Sequence, residues 1–271
     1  MKYSPSVLWQ SPTDELIRKT GNCLEEVLDR RGASAPVVTF FRADDIGVPG
    51  RKFTRLMEIF QRHRVPLSLA VVPMWLYKSR WQTIRSLCGT APSLCCWHQH
   101  GRMHRNYAPE GEKKQEFGPN RSAEDIRKDL AEGKKRLENI MGKDFYPVFT
   151  PPWNRCSAET LRLLEELSYK AVSGMQDARF PASPRLPNPA VNTDLHTRKE
   201  KDIFRAQSAF LAEIGQAAAG GFWGLMIHHQ RMNDAAFAFL DGLLPRLKKS
   251  GRFRLMHFRD MLEMPDKSAL P

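Results

Sequence analysis

The sequence specifies an α/β fold built on a mostly parallel sheet, open or closed into a barrel. Two observations carry this reading. Short apolar runs alternate with amphipathic stretches from residue 36 to beyond residue 250, the pattern of strand–helix–strand units. The residues able to do chemistry follow those runs rather than scattering, and in parallel α/β folds functional groups collect at the C-terminal ends of strands.

The first 35 residues read as a helical N-terminal extension, and 36–271 as a single domain. Strand-length runs are "PVVTFF" (36–41), "VPLSLAVVP" (65–73), "SLCCW" (93–97), "FYPVFT" (145–150), "YKAVS" (169–173), "FWGLMI" (222–227) and "FRLM" (253–256). Most are rich in β-branched or aromatic residues. The clearest helix is 123–141, where Ile126, Leu130, Leu137 and Met141 share a face. Ser122 caps it, with Asp125 at the capping-box position. A second helix follows Ser157, with Leu161, Leu164 and Leu167 inward. Others are expected at 50–63, 76–88, 205–218 and 234–249. The segment 180–200, with four prolines, reads as an irregular connection.

Composition narrows the function. Of 271 residues 41% are hydrophobic, enough for a buried core. No apolar run approaches the roughly 20 residues of a membrane span. The N-terminus lacks the apolar stretch of a signal peptide, so a cytoplasmic location is expected. Five cysteines argue against a complete disulfide framework. Cys95 and Cys96 are strand neighbours on opposite faces, so they cannot share a site and read as buried thiols. The net charge of +12 invites a polyanion, whether nucleic acid, anionic glycan or lipid headgroups. The Lys and Arg are dispersed, however, and no nucleic-acid motif accompanies them.

After the first run comes "RADD" (Arg42 to Asp45), after the third "HQHGRMH" (His98 to His104), after the fourth "PPWN" (Pro151 to Asn154), and after the sixth "HHQ" (His228 to Gln230). One Asp and two His suit Zn²⁺ or a similar divalent ion with a position left for water. His100 and His104 are four apart, which puts both imidazoles on one side of a helical turn. Gly101 permits a sharp turn out of the strand. Of two adjacent carboxylates, one can hold the metal and the other take a proton. Alone, Asp44-Asp45 reads better as a helix cap or Asx turn, and the histidines at the same strand ends reverse that preference.

These segments resemble the polysaccharide deacetylase family, the NodB-homology domain of carbohydrate esterase family 4. "FFRADDIG", "HQHGRMH", "FTPPWN" and "GLMIHHQ" look like its motifs, in the right order across most of 36–260. The helix after "EFGPNRSAEDIRKDL" also matches. The resemblance implies an irregular (β/α) barrel of about seven parallel strands. It implies Asp44 as general base, Asp45, His100 and His104 as metal ligands, and His228 as general acid, with His229 the alternative. Trp153 falls at an aromatic position whose backbone N–H would stabilise an oxyanion, with Asn154 beside it. The cofactor implied is one divalent ion, zinc first, with Co, Ni or Mn also compatible.

The chain departs from that pattern in three places. Thr150 stands where the third motif has an arginine that orients a catalytic carboxylate, and Arg42 and Arg102 are the candidate replacements. The fourth motif has no clear match, which leaves Asp177 and Asp194 as candidates to support His228. Gly101 replaces the usual Ser or Thr. His98 shares a strand face with His100 and would line the pocket or back the ligands, or equally be a hydrogen-bonded buried histidine. His196 lies in the irregular stretch, and His63 and His257 read as structural. Trp97 and Trp223 suit either stacking on sugar rings or core packing. The expected function is metal-dependent hydrolysis of an acyl group, acetyl first, from an N-acylated carbohydrate or other small amide. The alternatives are a non-catalytic carbohydrate- or polyanion-binding barrel, or hydrolysis of another amide or ester.

Overall fold

The computed structural model describes residues 5–10, 12–32, 34–176, 181–183 and 185–264. Strands β1 (Val37–Ile46), β2 (Leu67–Val71), β3 (Cys95–His100), β4 (Phe145–Thr150), β5 (Ala171–Val172), β6 (Thr193–Asp194), β7 (Phe222–Ile227) and β8 (Phe253–Leu255) form one sheet. Its order is β5-β4-β3-β2-β1-β7-β6, with every pair parallel, and β8 pairs the N-terminal end of β1. At the C-terminal rim Met175 and Val191 form a parallel bridge. The Gln176 and Val191 N–H groups bond to the Val191 and Gly174 carbonyls there. The two sheet edges thus meet where Gly174–Gln176 pairs with Val191, which closes an irregular barrel.

The helices are α1 (Thr13–Arg31), α2 (Arg51–His63), α3 (Lys78–Ser86), α4 (Ala123–Met141), α5 (Ala158–Glu166), α6 (Ile203–Ala219), α7 (Asp234–Ser250) and α8 (Phe258–Glu263). Helix α4 starts where the capping pattern puts it, with the Ser122 hydroxyl accepting the Asp125 N–H at 3.1 Å. Helix α1 packs against α6 and α7, burying Leu16, Ile17, Leu24 and Leu28 in the outer core. No helix among the described residues is long and apolar enough to cross a membrane.

All seven apolar runs are strands. The eighth, β6, is only two residues long and lies in the stretch expected to be irregular. Two strands also outrun their apolar signal. β1 continues through Arg42 and Asp44, and β3 through His98 and His100. Strand alternation explains this, because every second residue faces the barrel interior. Val38, Phe40 and Cys96 join Tyr146, Val148 and Met226 in an inner apolar layer. One step toward the C-terminal end the interior turns polar, with Arg42, His98 and Thr150 all buried. Helix α8 plugs the opposite end, where Phe258 packs on Phe40 (5.2 Å) and the His98 ring (4.9 Å).

The two strand thiols divide as strand alternation requires. Cys96 is in the inner layer, whereas Cys95 faces Cys88 in the outer core, sulfur to sulfur 2.8 Å. All five cysteines are free. Trp97 and Trp223 are core residues. Trp97 stacks edge-on against Trp81, and the Trp223 indole N–H donates to the Thr193 hydroxyl at 3.0 Å.

The closing connection leaves no room at Gly224 on β7. A Cβ there would run into the Phe40 ring and lie 2.7 Å from the Ala190 carbonyl oxygen. Gly224→Ala is therefore expected to destabilise the fold by about 1–3 kcal/mol through overpacking. Urea unfolding checks this, and an unchanged midpoint would mean that 187–191 does not close on β7.

Candidate metal centre and cleft

Two adjacent carboxylates on a regular strand would point to opposite faces. Here β1 changes register against β2 between Ala43 and Ile46, and Asp45 adopts a left-handed backbone with φ 62°. This bulge lets Asp44 and Asp45 address the same cleft. Asp45 Oδ1 is 3.2 Å from both His100 Nε2 and His104 Nε2. Neither approach has hydrogen-bond geometry, so this buried oxygen is unsatisfied by protein. The three ligand atoms lie within 4.8 Å of one another. His100 Nδ1 must donate to the Thr150 carbonyl (2.9 Å), because a carbonyl only accepts, which leaves the Nε2 lone pair free. An orphaned carboxylate oxygen and two imidazole nitrogens converging on one point fit a divalent cation, zinc best by donor type.

The two histidines do not share a helical turn, as their spacing suggested. His100 ends β3 and His104 lies in a loop. Gly101 (φ 57°) and His104 (φ 58°) are both left-handed, and a buried carboxylate holds the loop. Glu116 accepts the backbone N–H groups of Met103 (2.8 Å), His104 (3.1 Å) and Arg102 (3.3 Å). A Cβ at Gly101 would collide with Glu116 and Pro152. The side chain missing at 101 is thus replaced by one from fifteen residues downstream. Glu116 was not singled out from sequence, and its only signal was an acid beside the buried Phe117.

Asp44 faces a different partner. Arg42 Nε and Nη2 donate to its two oxygens, each at 2.9 Å. Arg42 also donates to Asn154 Oδ1 (2.6 Å) and to the Ser173 carbonyl (2.7 Å). Arg102, the other candidate, is engaged by Asp129 and Glu132 and does not take this place. Burial alone would raise the Asp44 carboxyl, but Arg42, His100 and His228 more than offset it and keep it below its ordinary value. Burial opposes ionisation of Asp45 too, and the surrounding histidines pull it far down. His100 goes the other way, raised by the two aspartates against its burial.

His228 follows β7, its Nδ1 buried without a partner. His229 packs on Phe53 (5.3 Å), and burial pushes it down to about 3. His98 donates to or accepts from the Thr150 hydroxyl (2.9 Å), and burial takes it to about 3. His196 is buried against Trp9 and held well below its ordinary value by burial. Asp194 Oδ1 accepts the His196 and Thr197 N–H groups, and Oδ2 the Thr197 hydroxyl, so it caps a turn instead of touching His228. Asp177 lies outside the described residues. His63 pairs with Asp241, and His257 caps α8.

Two indoles flank His104. The Trp153 ring is 4.4 Å away and Trp75, which sequence reasoning did not single out, 5.7 Å. Trp153 and Asn154 are both left-handed, at φ 57° and 55°. Six non-glycine residues have positive φ among the described residues, and four of them are Asp45, His104, Trp153 and Asn154. Such strain persists where surrounding contacts over-determine it, and it gathers at functional sites. A cavity of about 1080 Å³ lies elsewhere, walled by Val172, Leu186 and Asn192 on one side and Glu213 and Gln216 of α6 on the other, and none of the three candidate ligand residues lines it.

No protein-family model matches the sequence, and no curated protein does. Solved structures do match. A Mycobacterium smegmatis protein classed as a polysaccharide deacetylase superposes with TM-score 0.57 at 15% identity, over 85% of this chain and 91% of its own. A CE4 family pseudoenzyme from Bacillus anthracis gives 0.54 at 13%, over 86% and 66%. A mutant of that pseudoenzyme with restored enzymatic activity gives 0.53 at 14%, over 86% and 68%. At these identities the likeness establishes the fold: this chain has the polysaccharide deacetylase barrel that its motifs resemble.

Two expectations follow. Glu116→Gln turns an amide N–H₂ toward backbone donors and should weaken zinc binding about 10–100-fold, as loss of a supporting contact typically does. Chelator competition reads this directly. Second, His98, His104, His196 and His229 have folded pKa values below the unfolded one, about 4 for His104. Their stabilising effect is complete above about pH 6.5 and is lost as pH falls toward 3, while His100 alone acts in the opposite sense. The metal-free protein should lose roughly 1–2 kcal/mol for each of His98, His104 and His229 between pH 7 and 5, with His196 acting in the same direction. Urea unfolding in EDTA at the two pH values tests it, and equal stability would count against neutral buried rings.

Proposed function

We propose that the chain is a metal-dependent hydrolase that removes an acyl group, acetyl foremost, from an N-acylated carbohydrate. The observation that carries this is the convergence of Asp45, His100 and His104 beside a second carboxylate, Asp44, kept ionised by Arg42. Asp45 Oδ1 and the two Nε2 atoms would hold one divalent ion. When bound, such an ion supplies Lewis acidity to the acyl carbonyl and makes water a nucleophile near neutral pH.

The remaining steps belong to the chain. Asp44 takes the proton from the attacking water, and Arg42 fixes the carboxylate's orientation for that transfer. His228 gives a proton to the departing sugar nitrogen, which would otherwise be a poor leaving group. The Trp153 backbone N–H donates to the oxygen where negative charge develops. The Trp75 and Trp153 rings offer apolar faces on which a sugar ring can stack.

The likeness to a pseudoenzyme supports a competing reading, a barrel that binds without turnover. Metal analysis followed by amine release from N-acetylated sugars separates the two. His100→Ala should abolish metal binding. Asp44→Asn should keep the metal and lower turnover by about 10²–10⁴-fold, the usual range for a positioned base. Full metal occupancy in His100→Ala would overturn the ligand assignment. Metal-loaded wild type without activity on any amide or ester would favour the binding reading.

A further inference from the structure

Five large hydrophobic side chains stay exposed among the described residues, and all five fall between the end of a strand and the first turn of the next helix. Val48 precedes α2, Met74 and Tyr77 precede α3, and Ile203 and Phe204 open α6. In a parallel β/α fold each helix starts from the C-terminal end of the strand before it. These positions therefore share the rim that carries Asp45, His100 and His228. Val48 is 50% exposed, Tyr77 51% and Phe204 72%. Scattered single hydrophobics on a surface are ordinary. Confinement of all five to one rim needs a cause.

Cations accompany them. Arg51 opens α2 and Lys78 opens α3, while Lys199, Lys201 and Arg205 bracket Ile203 and Phe204. All five are exposed, and no ion pair links any of them to another described residue. The nearby acids are already used, Glu200 by Arg198 and Asp202 as the α6 cap. Helices α2, α3 and α6 have no acid in the first turn, whereas α4, α5 and α7 do. Cations at those helix starts oppose the macrodipole, an arrangement relieved by an anion outside the protein.

We propose that this rim docks on an anionic lipid bilayer. The apolar side chains would enter the boundary between headgroups and acyl chains, the cations would meet the headgroups, and the cleft mouth would face the membrane. A soluble polyanion would engage the cations but would gain nothing from aliphatic Val48, Met74 and Ile203. Docking stands independently of the hydrolase reading. Its consequence, an acylated sugar presented at the bilayer surface, rests on that reading.

The test is flotation of the full-length protein with vesicles of phosphatidylcholine alone or mixed with phosphatidylglycerol, with heparin binding measured in parallel. Binding is expected only to the mixed vesicles. Lys78→Glu and Lys201→Glu should each weaken it by about fivefold or more. Val48→Ser with Phe204→Ser should weaken it by about tenfold or more while heparin binding is unchanged. No binding to the mixed vesicles overturns the proposal. So does vesicle binding that the apolar substitutions leave intact, since that marks a site for polyanions in general. If vesicle binding fails while soluble N-acetylated sugars are turned over, docking is wrong and the hydrolase stands; the reverse result separates them in the other direction.

Discussion

A guanidinium with no solvent access organises this barrel's mouth. Arg42 is fully buried, and an unpaired charge in such a place would be prohibitively unfavourable. Its partners are therefore fixed by necessity. They come from three directions: Asp44 on its own strand, Asn154 after β4, and Ser173 and Gly174 after β5. The pair with Asp44 is bidentate, the arrangement that transmits orientation as well as charge. Because Asn154 is held by the same guanidinium, the turn carrying Trp153 is tied to the carboxylate on β1. Asp44 and the indole beside His104 consequently share one anchor.

That anchor accounts for the main departure from the family pattern. Position 150 has Thr where an arginine is usual, so an arginine is supplied by the strand that also bears the carboxylate. Thr150 is not idle there. Its hydroxyl meets His98 and its carbonyl receives the His100 Nδ1 proton. Glu116 and Gly101 repeat the logic on the second motif. In both cases the constraint is met by a residue from a different place in the chain, and the geometry it serves is retained.

The sequence made the strands and helices legible wherever burial forced a period. The apolar runs fell on strands, and Ser122 marked the start of α4. It made β6 illegible because two residues carry no period, and because that strand's pairing with β7 depends on a connection whose prolines read as irregular. Asp45, His100 and His104 were legible as a set of donor types, but their route together was not. The spacing of four suggested a helical turn, and a loop pinned by Glu116 does the work instead. A backbone N–H nest around a carboxylate leaves no mark on residue periodicity. Arg42 was visible only as one of two alternatives, since sequence cannot say that Arg102 is spent on Asp129 and Glu132.

Internal pairing also bears on the charge of +12, which composition left without a partner. Much of the positive charge is absorbed by internal pairing, as with Arg102, Arg121 and Arg198. What matters for association is the part left unpaired, and where it lies. Cations at the starts of α2, α3 and α6 are not explained by helix stability, which they diminish, nor by packing, since they are exposed. They adjoin the only large apolar side chains the described fold leaves in water. Apolar and cationic exposure confined to the rim of a cleft is the combination an anionic interface favours, and the proposed docking would bring Asp44 and His228 up to that interface.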